Sequence, residues 1–212
     1  MVALTAYLTD ANATTLTTAK QVSATAPAAE TSVLNSTKRL TGWGELFTVT
    51  GQAAWPALAA IGAPSGNGSL LDVTTLEGQQ IIAGTWTPKV KLISVGAPTA
   101  EIHVRAYTRS SGGTYTQIGD FVLAATKLST TFSGGAIVYS PVAQSLAAVT
   151  FNVGDKLYID YWANITVAGG STTGTISLYE NGGANTSLVT PGYVVAPVVA
   201  SIHALTLLQV GG

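Results

Sequence analysis

Short runs of apolar and β-branched residues recur along this chain, separated by clusters of Gly, Pro, Ser and Asn. Runs of this kind, bounded by turn-forming residues, are typical of β-strands. No segment combines a sustained period of 3.6 residues with helix caps, so helix is expected to be minor. From Leu70 onward, the predicted strands are residues 80–95, 100–108, 115–124, 136–139, 156–167 and 174–179.

The clearest hairpin is predicted where a Ser-Ser-Gly-Gly turn at residues 110–113 joins the run 100–108 to the run 114–122. Successive side chains of a strand point to opposite faces of a sheet, so the first run should have one buried face and one wetter face. The predicted inward residues are Ile102, Val104 and Ala106, and the predicted outward residues are Glu101, His103, Arg105 and Tyr107.

About eight strands with irregular spacing, and no helices to cover parallel crossovers, predict an all-β fold. The commonest solution at this size is an antiparallel β-sandwich of the jelly-roll type. An immunoglobulin-like sandwich is the alternative. It would require shorter and more evenly spaced strands, and the chain lacks the Cys-Trp-Cys signature of that fold because it contains no cysteine.

The chain divides by composition into a body and two terminal segments. Residues 1–40 are rich in Ala and Thr and have too few large apolar groups for a core, so they are predicted to form an extended N-terminal arm. Residues 41–193 are the predicted jelly-roll body. Residues 194–212 are too apolar to be left in water and are predicted to be a C-terminal strand or arm. Both terminal segments are expected to lie on a neighbouring subunit or to complete its sheet.

Charged residues make up only 9% of the 212 residues, and the formal net charge is −1. Ordinary soluble domains carry about 25% charged residues, and net charge limits self-association. A nearly neutral, threonine-rich surface therefore predicts a protein that packs against copies of itself or against other subunits. The nine Lys and Arg residues are scattered, so the basic stripe that binds nucleic acid is missing and no nucleic-acid partner is expected.

Neither export nor membrane insertion is expected. The N-terminus lacks the basic stretch and long apolar run of a secretory signal. The most membrane-like segment, residues 194–210, is shorter than the roughly 20 apolar residues of a spanning helix. It is also interrupted by Pro197, Ser201, His203 and Gln209.

One strand face carries aromatic rings beside a carboxylate. Alternation along residues 156–167 places Tyr158, Asp160 and Trp162 together, on the face predicted to be the wetter one. Aromatic rings can stack on a sugar while a carboxylate binds its hydroxyls, so these three residues are a candidate carbohydrate site. The alternative is that they are buried against a second sheet, an arm or a neighbouring subunit, as a subunit contact.

The residue types that commonly catalyse reactions or bind metals are present, but not in the motifs that usually accompany those functions. His103 and His203 are the only histidines, and each stands alone in an apolar pattern, which favours a structural role. No Gly-x-Ser-x-Gly motif supports a nucleophilic serine. Two carboxylate pairs that glycoside hydrolysis could use lie at turns and strand edges: Asp72 with Glu77, and Asp155 with Asp160. The chain is therefore predicted not to be an enzyme and to bind no cofactor and no metal.

Three stretches of the chain resemble a jelly-roll-like group of tailed-phage virion proteins. They are Gln-Ile-Ile-Ala-Gly-Thr-Trp-Thr at residues 80–87, the strand at 100–107 with its Gly-Gly hairpin at 112–113, and Phe-Asn-Val-Gly-Asp-Lys-Leu-Tyr-Ile-Asp at 151–160. A short Tyr-Leu strand precedes the body in that group, as Tyr7 and Leu8 do here. The likeness covers residues 70–192 and the N-terminal strand, and it includes no catalytic residues. The run that follows residue 192 departs from the group's pattern.

The resemblance implies a non-enzymatic structural subunit of a phage virion: a capsid decoration, head-fibre or tail-associated protein. Such a subunit would form a homo-oligomer and contact other virion proteins. It would be assembled in the host cytoplasm and released by lysis, which would account for a Thr- and Gly-rich β protein without an export signal. The alternative is a carbohydrate-binding or adhesive module of a bacterial surface, exported by other means.

Overall fold

The computed structural model describes residues 3–27, 32–33, 37–39, 41–46, 59–71, 76–130, 135–169, 174–180 and 186–196. Within these ranges the chain is almost entirely β, as the sequence predicts, with sixteen strands and no α-helix. The first strands are β1 (Ala3–Asn12), β2 (Lys20–Ser23), β3 (Ser32–Val33), β4 (Thr37–Arg39), β5 (Gly42–Glu45) and β6 (Ser69–Leu70). The later strands are β7 (Gln79–Ile81), β8 (Gly84–Val95), β9 (Thr99–Arg109), β10 (Tyr115–Lys127), β11 (Ile137–Tyr139), β12 (Gln144–Leu146), β13 (Val149–Phe151), β14 (Lys156–Val167), β15 (Gly174–Glu180) and β16 (Ser187–Val195).

Hydrogen bonds connect these strands in the order β10-β9-β14-β6-β2-β1-β16-β8-β15-β3. The other strands pair beside this path: β5 with β14, β4 with β15, β11 and β12 with β8, and β7 with both β13 and β16. Among the strand pairs that the structure describes, β2 with β6 is parallel and the rest are antiparallel. No helix within the described ranges is long and apolar enough to span a membrane.

Each of the six runs predicted from Leu70 onward contains strand, and together they account for β7 to β11, β14 and β15. β14 has the predicted bounds, while β9 and β10 extend the predicted runs by a few residues. The hairpin between β9 and β10 is confirmed, because Gly113 N–H donates to the Ser110 carbonyl and Ser110 N–H donates to the Thr114 carbonyl, both at 2.9 Å. The run 80–95 is divided into β7 and β8, because the strand is interrupted at residues 82–83, where Ile82 N–H still donates to the Gly192 carbonyl at 3.0 Å.

Apolar side chains of the long strands form the main core. The inward residues predicted for β9, Ile102, Val104 and Ala106, are confirmed because each is at most 1% exposed. They belong to the same cluster as Trp86 of β8 and Phe121 of β10. One continuous core therefore joins strands that are distant in sequence.

The N-terminal residues differ from the predicted arm. In place of an arm on a neighbouring subunit, β1 is an internal strand that pairs with β16 on one side and β2 on the other. Its side chains Leu4, Ala6 and Leu8 are buried in the main core. A segment with few apolar groups cannot form a core alone, but its alternating residues are enough for one strand of a core that other strands supply.

The C-terminal strand continues slightly past the predicted body, because β16 ends at Val195 rather than at residue 193. Just after the strand, Ala196 N–H donates to the Gly78 carbonyl at 3.0 Å. The remainder of the predicted C-terminal segment, residues 197–212, lies outside the described residues.

Candidate functional site

The three candidate carbohydrate residues are buried inside the chain. Tyr158 and Asp160 are 0% exposed and Trp162 is 4% exposed. A loop crosses this face of β14: Gly68 N–H donates to the Tyr158 hydroxyl oxygen at 2.8 Å, and Gly62 packs against the Trp162 ring. The predicted wetter face is therefore wrong, since alternation shows which side chains share a face but not whether a distant loop covers it. Side chains this deeply buried cannot stack on a sugar.

Asp160 is held by Arg105 of the adjacent strand β9. Arg105 Nε donates to Asp160 Oδ1 at 3.0 Å, and Nη2 donates to Oδ2 at 2.7 Å. The same Nη2 donates to the Gly62 carbonyl at 2.8 Å, so the guanidinium also binds the covering loop. Arg105 was predicted to face outward, yet it is 5% exposed and lies 5.4 Å from the ring centroids of both Tyr107 and Trp162. Arg105 thus connects the covering loop to the sheet, and Asp160 holds its guanidinium in place.

A second buried carboxyl group, Glu45, lies at the end of β5 and was not predicted. It pairs with Trp162 in the β5–β14 register, and the Ser65 hydroxyl lies 2.9 Å and 2.7 Å from its two oxygens. Burial raises the pKa of Glu45 to about 7, against the opposing effect of the Ser65 hydrogen bond. No local pattern around Glu45 marks it, because strands and loops far along the sequence create its environment.

Tyrosine rings form a small second core beside this polar cluster. The centroids of Tyr115 and Tyr158 lie 4.9 Å apart, and that of Tyr107 lies 6.1 Å from Tyr158. Leu70 and Ala13 are buried against them. Burial raises the pKa of both Tyr107 and Tyr158, so these phenols stay neutral. Tyr107, predicted to face outward, is 3% exposed, and its role here is packing.

His103 is part of a structural pair. Its Nδ1 lies 2.8 Å from Asp120 Oδ1, and its ring meets Trp43 edge to face at 5.1 Å between centroids. Burial opposes protonation, but the hydrogen bond and charge of Asp120, with the charge of Glu101, outweigh burial and raise the pKa of His103. Its Nε2 makes no hydrogen bond within the described residues but lies 3.5 Å from Glu101 Oε1, within ion-pair distance. His203 lies outside the described residues.

Of the two candidate carboxylate pairs, the structure describes both members only of Asp155 with Asp160, and each of these two has a different partner. Asp155 accepts hydrogen bonds from the backbone and side chain of Asn152 within a turn, whereas Asp160 is occupied by Arg105. Glu77 forms an ion pair with Lys156 at 3.0 Å, and Asp72 lies outside the described residues. Within the described part of the chain, no group of three His, Cys, Asp or Glu residues could hold a metal ion.

An open groove of about 360 Å³ lies between the β9–β10 hairpin and the chain segment 146–150. We call it the threonine groove, and its lining residues are Thr108, Thr116, Gln117, Ile118, Leu146, Ala147, Ala148, Val149 and Thr150. None of these residues is charged. The lining combines apolar surface with hydroxyl and amide groups, which suits an uncharged ligand that offers both. Sequence reasoning missed this groove because its two walls are separated along the chain.

Large apolar side chains are also exposed on the described surface. The most exposed are Val153 at 82%, Val195 at 74% and Val142 at 67%. Single exposed apolar residues are normal, but here they accompany a surface with unusually few charges.

No protein-family model matches the chain, and no curated protein matches it. Among the solved structures that resemble its fold are three that are described as a hydrolase or an aminopeptidase. An aminopeptidase from a marine sediment archaeon, Thaumarchaeota archaeon, has 11% identity and a TM-score of 0.54 over 92% of this chain and 37% of its own. A CocE/NonD family hydrolase from Staphylococcus aureus has 9% identity and a TM-score of 0.52 over 90% and 36%. An α-amino acid ester hydrolase has 11% identity and a TM-score of 0.57 over 89% and 36%.

At these identities the likeness shows a shared fold and nothing about activity. This chain spans little more than a third of each of those proteins.

Proposed function

We propose that this chain is a non-enzymatic structural subunit of a phage virion, acting through self-assembly and contacts with other subunits. The observation that supports it best is the combination of exposed valines with a surface that carries few charges. Such a surface lacks the electrostatic repulsion that keeps ordinary domains apart. Burying its valines in a contact between subunits removes apolar surface from water, which favours association. The resemblance of the strand and turn sequences to virion proteins supplies the virion assignment.

The described ionisable groups support a structural role. Arg105 with Asp160, His103 with Asp120 and Lys156 with Glu77 are pairs within the chain, and Glu45 is hydrogen-bonded by Ser65. A catalytic site requires a nucleophile, acid or base that can reach a substrate. These groups instead hold loops and strands together.

We further propose that the fold is of the jelly-roll type. The mostly antiparallel strands favour it, as does the length of β8, β9, β10 and β14. In this arrangement the loops at the two ends and the outer strand edges are the surfaces left for partners.

A second candidate is a β domain of a longer protein, favoured by the partial coverage of the matched hydrolases. In that case the described chain would contact an enzyme domain rather than copies of itself. The carbohydrate-binding alternative loses the support of Tyr158, Asp160 and Trp162, because those side chains are buried.

Two measurements test the proposal. Sedimentation equilibrium of the purified chain should give the mass of an oligomer, a whole multiple of the 21.5 kDa of one chain and larger than it. Mass spectrometry of particles purified from a lysate of the host should detect the chain in fixed proportion to the capsid protein. A monomer at all concentrations together with absence from purified particles would overturn the proposal, and co-purification with an enzyme domain would favour the second candidate.

A further inference from the structure

The threonine groove has the properties of a site for an extended, uncharged peptide. Its apolar floor is supplied by Ile118, Leu146 and Val149, which are partly buried and pack against the main core. Hydroxyl groups of Thr116 and Thr150 stand at its exposed margins. An extended peptide presents alternate side chains to such a floor while its backbone binds polar groups beside it.

One wall of the groove is the outer edge of β10. Among the described strands, only β9 pairs with β10. Farther along this edge, Val142 N–H donates to the Val122 carbonyl and the Gln144 amide donates to the Asp120 carbonyl. Those contacts cover the part of β10 that follows the groove residues Thr116 to Ile118. Backbone groups of an open edge readily accept a further strand.

The sequence contains a segment whose side-chain chemistry matches that of the groove. Residues 204–210, Ala-Leu-Thr-Leu-Leu-Gln-Val, are apolar apart from one hydroxyl and one amide, and none is charged. They therefore match the uncharged groove, in which a charged peptide would have to lose water without gaining a partner. Burial of their leucines contributes at about 25 cal/mol for each Å² removed from water.

The end of β16 lies near the groove, with β7 and β13 between them. Thr150 of the groove pairs with Gln80, and Gln80 pairs on its other side with Val194, so the two outer residues are about 10 Å apart. Residues 197–203, which follow Ala196, can span at most about 23 Å. The register also gives the direction of β16. Tyr193 and Val149 flank the same residue of β7, and Val195 and Phe151 flank another, so from Tyr193 to Val195 the strand runs away from the Val149 end of the groove.

We propose that residues 204–210 of one copy lie as an extended chain in the threonine groove of a second copy. This inference rests on the proposed self-assembly and names the contact that would carry it. The outward direction of β16 favours a second copy over the chain's own groove. A contact in which one surface binds a different surface of the next copy closes into a ring or continues as a filament.

The absence of cysteine allows a direct test by disulfide formation. Gln117→Cys in the groove is mixed with Leu207→Cys, which carries a size tag, and the mixture is oxidised. Two further variants, Leu205→Cys and Gln209→Cys, test whether the segment lies in the groove shifted by two residues in either direction. The matched control is Ala124→Cys, which is also an exposed position and lies farther along β10. We expect cross-linked dimers with Gln117→Cys and at least about tenfold fewer with Ala124→Cys.

The outcomes separate this inference from the proposed function. If the variants remain oligomers by sedimentation but none of the groove pairs cross-links above the control, the inference is wrong and the proposed self-assembly stands. If the variants are monomers, both fail. If a double variant with Gln117→Cys and Leu207→Cys closes a disulfide within one chain while the mixed single variants do not cross-link, the segment occupies its own groove and the inference is also wrong. Circular dichroism of each variant verifies that the fold is retained.

Discussion

Arg105 and Asp160 form a two-point ion pair between adjacent strands, with nitrogen–oxygen distances of 3.0 Å and 2.7 Å, and both side chains are buried. The third bond of Arg105, to the Gly62 carbonyl, extends this link to the loop above. Removing one partner of a buried pair leaves a charge without water or a counterion. The pair should therefore control the stability of the fold.

Asp160→Ala should lower the free energy of unfolding by about 3–5 kcal/mol, because it leaves the Arg105 guanidinium buried and unpaired. Urea denaturation monitored by tryptophan fluorescence measures the loss. The control is Glu77→Gln, which breaks the more exposed ion pair with Lys156 and should cost less than about 1 kcal/mol. Equal losses in the two variants would contradict the structural role of Asp160.

Stability should fall as the pH rises from 5 to 8. The pKa of Glu45 is about 7 in the folded chain against an ordinary 4.5, so the folded state retains a proton that the unfolded state releases. The stability from this proton is fully present below pH 4.5 and is lost as the pH rises through about 7. The raised pKa of His103 acts in the same direction, with stability lost above its ordinary 6.5.

Glu45→Gln tests the first of these groups. The amide keeps a hydrogen bond to Ser65 but carries no charge, so the variant should be more stable than the unmodified chain at pH 8, by at most about 3 kcal/mol. At pH 5 the two should differ little. His103→Gln serves as the comparison, because it should leave the Glu45 part of the pH dependence intact. A difference that is as large at pH 5 as at pH 8 would show that Glu45 is not the titrating group.

The strands could be predicted because their signals are local. β14 and the β9–β10 hairpin follow from β-branched runs and a Gly-Gly turn, and the structure confirms them. The three-residue strands β12 and β13 were not predicted, since segments this short carry no periodicity. Their existence depends on the edges of β8 and β7, to which they pair.

The environment of the candidate site could not be predicted, because it depends on contacts between distant parts of the chain. Alternation correctly grouped Tyr158, Asp160 and Trp162 on one face of β14. It could not show that a loop some 90 residues earlier in the chain would cover them, as the Gly68–Tyr158 bond does. The sequence likewise showed that Arg105 faces away from Val104, but not that Asp160 would pair with it.

The internal position of β1 leads to a prediction opposite to that for a detachable arm. Leu8→Ala should lower the free energy of unfolding by about 2–5 kcal/mol, because Leu8 is 1% exposed in the main core. Asn12→Ala, at the exposed last position of the same strand, should change it by less than about 0.5 kcal/mol. Thermal unfolding followed by circular dichroism measures both. A Leu8→Ala variant that unfolds like the unmodified chain would show that residues 3–12 are not part of the folded body.

The exposed valines near the end of β16 should contribute to self-association. Val195 pairs with Gln79, whose other neighbour is Phe151, so Val195 lies at the same end of the fold as Val153. The double variant Val153→Thr with Val195→Thr keeps side-chain size while adding hydroxyl groups that prefer water. Its subunits should dissociate at an about tenfold higher concentration than those of the unmodified chain, as sedimentation over a concentration series would show.

Because both positions are exposed, the free energy of unfolding should change by less than about 0.5 kcal/mol for each substitution. The control, Asn12→Thr, replaces an exposed polar residue on β1 and should leave association unchanged. If the double variant associates as strongly as the unmodified chain, this end of the fold is not a contact between copies.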